Sequence, residues 1–176
     1  MRRIRRSGTY YRVFKPEWSD PLDTGPSKLR GGRWNSPGQF GVLYLAQTTA
    51  VAASIVRARH VGCAIGLFDV RPDRRPHLLQ VAIPDSVHLD VVTPAGVNAV
   101  NLPPGYPVGV GQHRCQPIGW RAYKTTTLSG IACRSASECG PDYWVGEELV
   151  WFDRSPAVAE SGPRRDFAAW YPDPVP

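Results

Sequence analysis

Short apolar runs, separated by stretches rich in glycine and proline, recur along most of the chain. Runs of about four to eight residues that are rich in β-branched and aromatic side chains are typical of strands. Seven segments fit this pattern, and one of them, residues 87–92, is expected to extend the sheet that the others form. They are residues 9–14, 42–46, 64–70, 78–83, 87–92, 129–133 and 147–152.

Helical periodicity is confined to two segments. Thr48 can cap a helix that runs to about His60. Its apolar residues recur three or four positions apart, as expected for one buried face: Val51, Ala52, Ile55 and Ala58. A second helix is predicted within residues 112–125, and Pro117 and Gly119 are expected to confine it to the later part of that segment.

Glycine and proline together make up about a fifth of the 176 residues, which excludes a helical bundle or a coiled coil. They predict loops at residues 15–41 and 93–111, and long loops in compact domains are usually functional when they are ordered. The proline-rich residues 155–176 are predicted to form an extended terminal arm. The chain is therefore divided into a basic arm (1–8), one domain (9–154) and a tail (155–176).

The basic charge is concentrated at the start of the chain. Residues 1–35 contain nine Lys or Arg and three Asp or Glu, so they account for the whole net charge of +6. Such a segment fits an anion site, a nucleic-acid-binding arm or a solvated tail, and a solvated tail is predicted for residues 2–6. No apolar segment resembles a secretory signal or a membrane span, so a cytoplasmic protein without membrane contact is expected.

Common cofactor and metal motifs are absent from the sequence. Neither the P-loop pattern nor the Rossmann glycine pattern occurs. The four cysteines have no paired spacing typical of zinc sites, and without an export signal a disulfide framework is not expected. They are interpreted as ordinary core thiols, and no metal is predicted.

The segment GGRWNSPG, residues 31–38, offers the chemistry of an anion site. Two glycines allow close approach to a ligand, and Arg33 provides a planar, permanently charged group suited to phosphate oxygens. Trp34 can form a wall of such a pocket. The alternative is a turn in which the tryptophan fills the core and the arginine pairs with a surface carboxylate. The candidate ligand-binding residues of this segment are Gly32, Arg33, Trp34 and Asn35.

The order of several motifs resembles the RES domain, a family named for its Arg, Glu and Ser residues. GGRWNSPG is followed by VLYLA at 42–46 and by a helix beginning near Thr49. Further matching elements are Tyr11-Arg12 in TYYRVF, Gly130-Ile131 with Ser135, and the closing strand at 148–152. The resemblance covers residues 9–152.

This resemblance implies an α+β fold with a mixed sheet, similar to ADP-ribosyltransferases, in a single domain with long ordered loops. It implies an NAD+-consuming toxin that cleaves the nicotinamide–ribose bond by hydrolysis, phosphorolysis or ADP-ribosyl transfer. NAD+ would be the substrate, no metal would be needed, and an antitoxin protein would be the partner. A nucleic acid remains one candidate acceptor of ADP-ribose.

The resemblance also implies roles for individual residues. Arg12 and Arg33 would hold the NAD+ diphosphate or the neighbouring ribose. Tyr44 would pack against or hydrogen-bond the nicotinamide-side ribose, and Ser135 would hydrogen-bond in the same pocket.

The sequence departs from the family at its glutamate, which is expected about eleven residues after Tyr44. Here that position is Ile55. A missing electrostatic partner of a developing cation commonly costs about 10² to 10³ in rate. Three residues could replace it: Glu138, Glu147 and Glu148. Adjacent strand residues point to opposite faces, so only one of the last two can face a given cleft, and Glu148 is favoured.

Two other functions remain open. One is a RES-like protein that binds a nucleotide or a partner without cleavage, as the missing glutamate suggests. The other is a nucleic-acid-binding module that uses the basic N-terminal segment and aromatic stacking.

Overall fold

The computed structural model describes residues 1–172. These residues form eight strands, β1 (Arg3–Phe14), β2 (Val42–Ala46), β3 (His77–Val91), β4 (Gly130–Arg134), β5 (Cys139–Gly140), β6 (Tyr143–Trp144), β7 (Glu147–Phe152) and β8 (Ala159–Glu160). They also form five α-helices, α1 (Gly25–Arg30), α2 (Thr49–Ala58), α3 (Pro94–Ala99), α4 (Gln112–Lys124) and α5 (Phe167–Trp170).

Six of the strands form one sheet in the order β1-β2-β7-β4-β3-β8. Because β1 pairs with β3 as well as with β2, the pairings close on themselves. The sheet is mixed: β3 and β4 run parallel, whereas the other neighbours run antiparallel. The predicted α+β class with a mixed sheet is confirmed. Strands β5 and β6 form a separate two-stranded ribbon.

Most of the predicted elements are found near their expected positions. The strand predicted at 147–152 coincides with β7, and the helix predicted after Thr48 is α2, which begins where the Thr48 side chain accepts a hydrogen bond from the Val51 N–H. The two segments predicted at 78–83 and 87–92 are one continuous strand, β3.

The strand predicted at 64–70 is wrong. Its centre forms a single 3-10 turn, Leu67–Asp69, in which the Asp69 carboxylate accepts a hydrogen bond from the Gly66 N–H at 3.0 Å. This local bond closes the turn, and Ile65 and Phe68 remain exposed.

The prediction of a solvated N-terminal tail is also wrong. Residues 3–8 belong to β1 and pair with β3. Arg6 forms two hydrogen bonds with the buried Glu147, while Arg5 pairs with Asp85. Arg2 also pairs with Asp90. Three of the four arginines at positions 2–6 therefore have a carboxylate partner, which leaves less positive surface for binding a nucleic acid.

The tail does not form an extended arm over residues 155–172. Strand β8 pairs with β3, and Phe167 and Trp170 of α5 are buried in a cluster that includes residues of α2. Its aromatic residues drive this packing because burial removes large apolar surfaces from water. The predicted part at 173–176 lies outside the described residues.

The Gly/Pro-rich loops contain short helices and specific contacts. Helix α1 lies within the loop predicted at 15–41, and α3 within that predicted at 93–111. The Ser27 hydroxyl donates to the Val42 carbonyl and accepts from its N–H, both at 2.7 Å. These bonds attach α1 to the start of β2.

Helix α4 begins at Gln112, earlier than predicted, and contains Pro117 within it. The helix packs closely against the 31–38 turn, since a side chain at Gly119 would place its Cβ 1.8 Å from the Trp34 carbonyl oxygen. Gln116 donates a hydrogen bond to the Gly32 carbonyl at 3.0 Å. The helix is thus held against the 31–38 turn. No helix among residues 1–172 combines the length and apolarity needed to cross a bilayer.

Candidate functional site

A cleft of about 270 Å³ opens where β1, β2 and β7 meet α1 and α2. Its lining combines positive charge, one carboxylate, three aromatic rings and several apolar side chains. The residues that matter most here are Arg12, Arg30, Tyr44, Ile55, Arg59 and Glu148.

Strand register explains why Tyr44 and Glu148 reach the same cleft. Ala46 of β2 lies opposite Glu148 of β7, and Tyr44 lies opposite Val150. Directly opposed residues of an antiparallel pair point to the same face, and alternate residues along a strand share a face. Tyr44 and Glu148 therefore project from one face, and Glu147 projects from the other.

Arg12 is held in the cleft by backbone groups rather than by a carboxylate. Its guanidinium donates to the carbonyl oxygens of Pro21 and Tyr44, each at 3.1 Å. Burial and the positive charge of Arg59 lower the pKa of Arg12 to about 10, so the group is still charged at neutral pH. Two guanidinium groups that repel each other favour an anion between them.

Arg59 was not identified from the sequence as a site residue. It lies one helical turn after Ile55 at the end of α2, and both residues line the cleft. Among the ion pairs of residues 1–172, none involves Arg12, Arg30 or Arg59. The i, i+4 spacing from Ile55 was the only signal in the sequence that pointed to Arg59.

The Tyr44 side chain is fixed by the 31–38 turn. Its hydroxyl accepts a hydrogen bond from the Trp34 N–H and donates one to Asn35 Oδ1, both at 3.0 Å. A Cβ at Gly32 would lie 2.5 Å from this hydroxyl, so the glycine is required for the close approach. Burial raises the pKa of the Tyr44 phenol, which stays protonated at neutral pH.

Glu148 and Ser135 are in direct contact. Ser135 Oγ lies within hydrogen-bonding distance of Glu148 Oε1, at 2.7 Å, and Ser135 is fully buried. Burial raises the pKa of the Glu148 carboxyl. Four groups oppose that rise by stabilising its charge: the Ser135 hydroxyl, Arg33, the Ala136 N–H and Arg59. The net effect is that the pKa of this carboxyl lies above its ordinary value.

The other two candidate glutamates do not line the cleft. Glu147 is buried on the opposite face, where it binds Arg6 and accepts a hydrogen bond from the Tyr10 hydroxyl at 3.3 Å. Glu138 pairs with Arg57 on the surface of α2. Of the three, only Glu148 is placed to meet a ligand bound in the cleft.

Three residues of the 31–38 turn lie behind the cleft rather than in its lining. Arg33 donates to the Val110 carbonyl at 2.8 Å, Trp34 is fully buried against Tyr106, and Asn35 donates to the carbonyls of Ser27 and Phe40. Burial of the Trp34 indole in the core fixes the path of the turn and directs Arg33 toward α4. Arg33 therefore does not lie beside Arg12, although its charge still acts on Glu148.

The described residues 1–172 contain no group of three or more His, Cys, Asp or Glu side chains placed to hold a metal ion. The four cysteines are free thiols, two of them buried.

Comparisons with known proteins agree with this architecture. No match was found among curated proteins. A chain in the crystal structure of the M. tuberculosis MbcT–MbcA toxin–antitoxin complex is 23% identical, with a TM-score of 0.77, over 93% of this chain and 86% of that chain. The family model of the RES domain matches residues 9–171, including β8 and α5. The resemblance noted in the sequence is therefore confirmed, and the protein belongs to the RES domain family.

Proposed function

We propose that this protein is an NAD+-consuming enzyme whose cleft cleaves the bond between nicotinamide and ribose. The observation that carries the proposal is the meeting of Arg12, Arg59, Tyr44 and Glu148 in one cleft. RES domain membership supports NAD+ as the substrate, and we propose no metal.

The two unpaired guanidinium groups suit the diphosphate of NAD+. Arg12 and Arg59 lie close enough for their charges to lower the Arg12 pKa, and neither is neutralised by a carboxylate ion pair among residues 1–172. A diphosphate bound between them relieves their repulsion and forms charge-assisted hydrogen bonds. Arg30, at the end of α1, adds positive charge to the same cleft. Arg33 lies behind the lining of the cleft and contributes only through the effect of its charge on the groups in the cleft.

Cleavage breaks the glycosidic C–N bond, and the bonding electron pair leaves with the nicotinamide nitrogen. The ribose becomes an oxocarbenium-like cation, which an ionised Glu148 would stabilise. Tyr44 would position the ribose, and Ser135 would orient the Glu148 carboxyl through their 2.7 Å contact. Water, phosphate or a target nucleophile then bonds to the ribose carbon, and the proton of the attacking group passes to solvent.

The test is an incubation of the purified protein with NAD+, followed by separation of nicotinamide, ADP-ribose and ADP-ribose phosphate. Nicotinamide release that falls at least about 100-fold in the isosteric Glu148→Gln variant is expected. The second product identifies the acceptor: ADP-ribose for water, its phosphate ester for phosphate. Absence of both turnover and NAD+ binding would contradict the proposal.

A second candidate is a binding protein without cleavage, and Ile55 is the observation that favours it. This apolar side chain lies in the cleft at the position where the family's glutamate is expected. Binding of NAD+ without nicotinamide release would support this alternative.

We also propose that an antitoxin protein is the partner. The similar M. tuberculosis chain comes from a toxin–antitoxin complex, and a toxin that depletes NAD+ needs an inhibitor in its own cell. Neutralisation of toxicity by a co-expressed partner would test this point.

A further inference from the structure

A chain of three serine hydroxyls leads from helix α2 to the Glu148 carboxyl. Ser54 Oγ lies 2.6 Å from Ser137 Oγ, and Ser137 Oγ lies 2.7 Å from Ser135 Oγ. Ser135 in turn contacts Glu148 Oε1 at 2.7 Å. At the other end, Ser54 Oγ contacts the Val51 carbonyl at 2.8 Å. Ser54 and Ser135 are fully buried, whereas Ser137 between them is partly exposed.

Counting protons distinguishes the two states of Glu148. The four contacts all join oxygen atoms at hydrogen-bonding distance, so each contact needs one proton. The three serines supply three protons. If Glu148 is ionised, one contact must therefore hold two oxygen atoms with no proton between them. If Glu148 carries a proton, it donates to Ser135, each serine donates to the next acceptor, and the chain ends on the Val51 carbonyl.

We propose that Glu148 carries a proton in the resting protein and that Ser137 and Ser54 are positioning residues that hold this neutral state. The chain provides a complete set of donors and acceptors only for the protonated form. Burial of the carboxyl acts in the same direction by raising its pKa. Neither Ser137 nor Ser54 was singled out in the sequence, since their relationship to Glu148 exists only in the folded chain.

Other groups also act on Glu148 and set the limit of this effect. The positive charges of Arg33 and Arg59 favour the ionised carboxylate, and so do the hydrogen bonds that the Ser135 hydroxyl and the Ala136 N–H donate to it in that state. Titratable or charged groups that face or surround Glu148 come from β1, β2, β4, α1, α2, the 31–38 turn and the loop after α3. They are Tyr11, Arg12, Arg30, Arg33, Tyr44, Arg59, Tyr106 and Cys133. A bound diphosphate would neutralise part of this positive charge and favour the proton further.

A neutral Glu148 changes what the cleft does. Only the ionised form can supply a counter-charge to the oxocarbenium-like cation. Cleavage of NAD+ is therefore expected to rise with pH as Glu148 loses its proton. This consequence rests on the proposed function, whereas the protonation state itself does not.

The direct test is a titration of the glutamate carboxyl carbons by NMR, with the full-length protein and no substrate. The chain has five glutamates, and the Glu148→Gln variant assigns the signal. We expect the Glu148 carboxyl to keep its proton at pH 7, well above the ordinary glutamate pKa of about 4.3. In Ser137→Ala only two of the contacts remain, and Ser135 and Ser54 can each supply the proton for one of them while Glu148 is ionised. The Glu148 pKa should therefore fall by roughly half a unit to one unit. Ser137→Thr, which keeps the hydroxyl, should preserve the wild-type value.

Two further variants keep the result interpretable. Ser54→Ala should lower the Glu148 pKa in the same way and serves if Ser137→Ala folds poorly. Ser86→Ala removes a buried serine hydroxyl that bonds Pro84 and His88 instead, and it should leave Glu148 unchanged. An ionised Glu148 at pH 7, or an unchanged Glu148 pKa in both chain variants, would overturn the proposal. Because no NAD+ is present, failure of the proposed enzymatic function would not alter these outcomes.

Discussion

Ile55 of α2 and Glu148 of β7 line the same cleft, so an apolar side chain occupies the expected glutamate position while a carboxyl group enters from the sheet. Substitution of Ile55→Glu places a second carboxylate four residues before Arg59, a favourable helical spacing. If the cleft binds NAD+ as proposed, nicotinamide release should increase, by up to about 10²-fold if the geometry is ideal.

Ile55→Gln is the matched control for this experiment because it adds a polar group of the same shape without charge. An increase in the glutamate variant alone would identify the carboxylate as the cause. Equal rates in both variants and the wild type would count against a ribose site beside α2.

Arg59 is expected to contribute to diphosphate binding. Removing one charge-assisted contact typically weakens binding about tenfold or more. Arg59→Gln should therefore raise the dissociation constant for ADP-ribose, measured by calorimetry, by about this factor. Arg57→Gln makes the same charge change on the same helix, but Arg57 pairs with Glu138 outside the cleft and should have little effect. Equal losses in the two variants would indicate only a general electrostatic effect.

Glu147 and Glu148 are neighbours in sequence but should respond oppositely to substitution by glutamine. Glu147 is buried and forms a two-point contact with Arg6. Breaking such a pair leaves an uncompensated charge, so Glu147→Gln should lower the free energy of unfolding by about 3 kcal/mol in urea titrations. Glu148→Gln should leave stability closer to wild type and affect NAD+ cleavage instead. A reversal of these effects would contradict the assignment of the two strand faces.

His88 should make folding stability depend on pH. It is fully buried, and burial together with the charge of Arg6 lowers its pKa to about 4. Between pH 4 and the unfolded value of about 6.5, the unfolded chain binds a proton that the folded chain does not. The stabilisation that neutral His88 contributes is therefore present in full above about pH 6.5 and is lost as the pH falls from there to about 4.

The measurement is urea unfolding at pH 7 and pH 5 for the wild type and for His88→Gln. The wild type should lose about 2 kcal/mol more than the variant between these pH values. Equal losses would mean that His88 becomes protonated without unfolding.

Local patterns predicted those features that depend on nearby residues. The buried strand β7 and the capped helix α2 follow from apolar spacing and from Thr48, and the strand alternation correctly separated Glu147 from Glu148. The polar segment at 3–8 gave no strand signal because its pairing with β3 is a long-range contact.

The geometry of the cleft depended on contacts between distant segments. The 31–38 motif was predicted to line an anion site, but in the structure it forms a turn behind the cleft that holds Tyr44. The direction of Arg33 could not be predicted, because it follows from burial of Trp34 and from close packing of Gly119 against the turn. Arg59 could not be predicted as a site residue for a similar reason. Its proximity to Arg12 arises only when the end of α2 packs beside β1 in the folded chain.

A crystal structure with a non-hydrolysable NAD+ analogue would test the central claim most directly. The diphosphate should lie between Arg12 and Arg59, with Tyr44 at the nicotinamide-side ribose and the Glu148 carboxyl as the nearest acidic group to that sugar. A dinucleotide bound elsewhere, or one that touches neither guanidinium group, would contradict the claim that this cleft is the site of NAD+ cleavage.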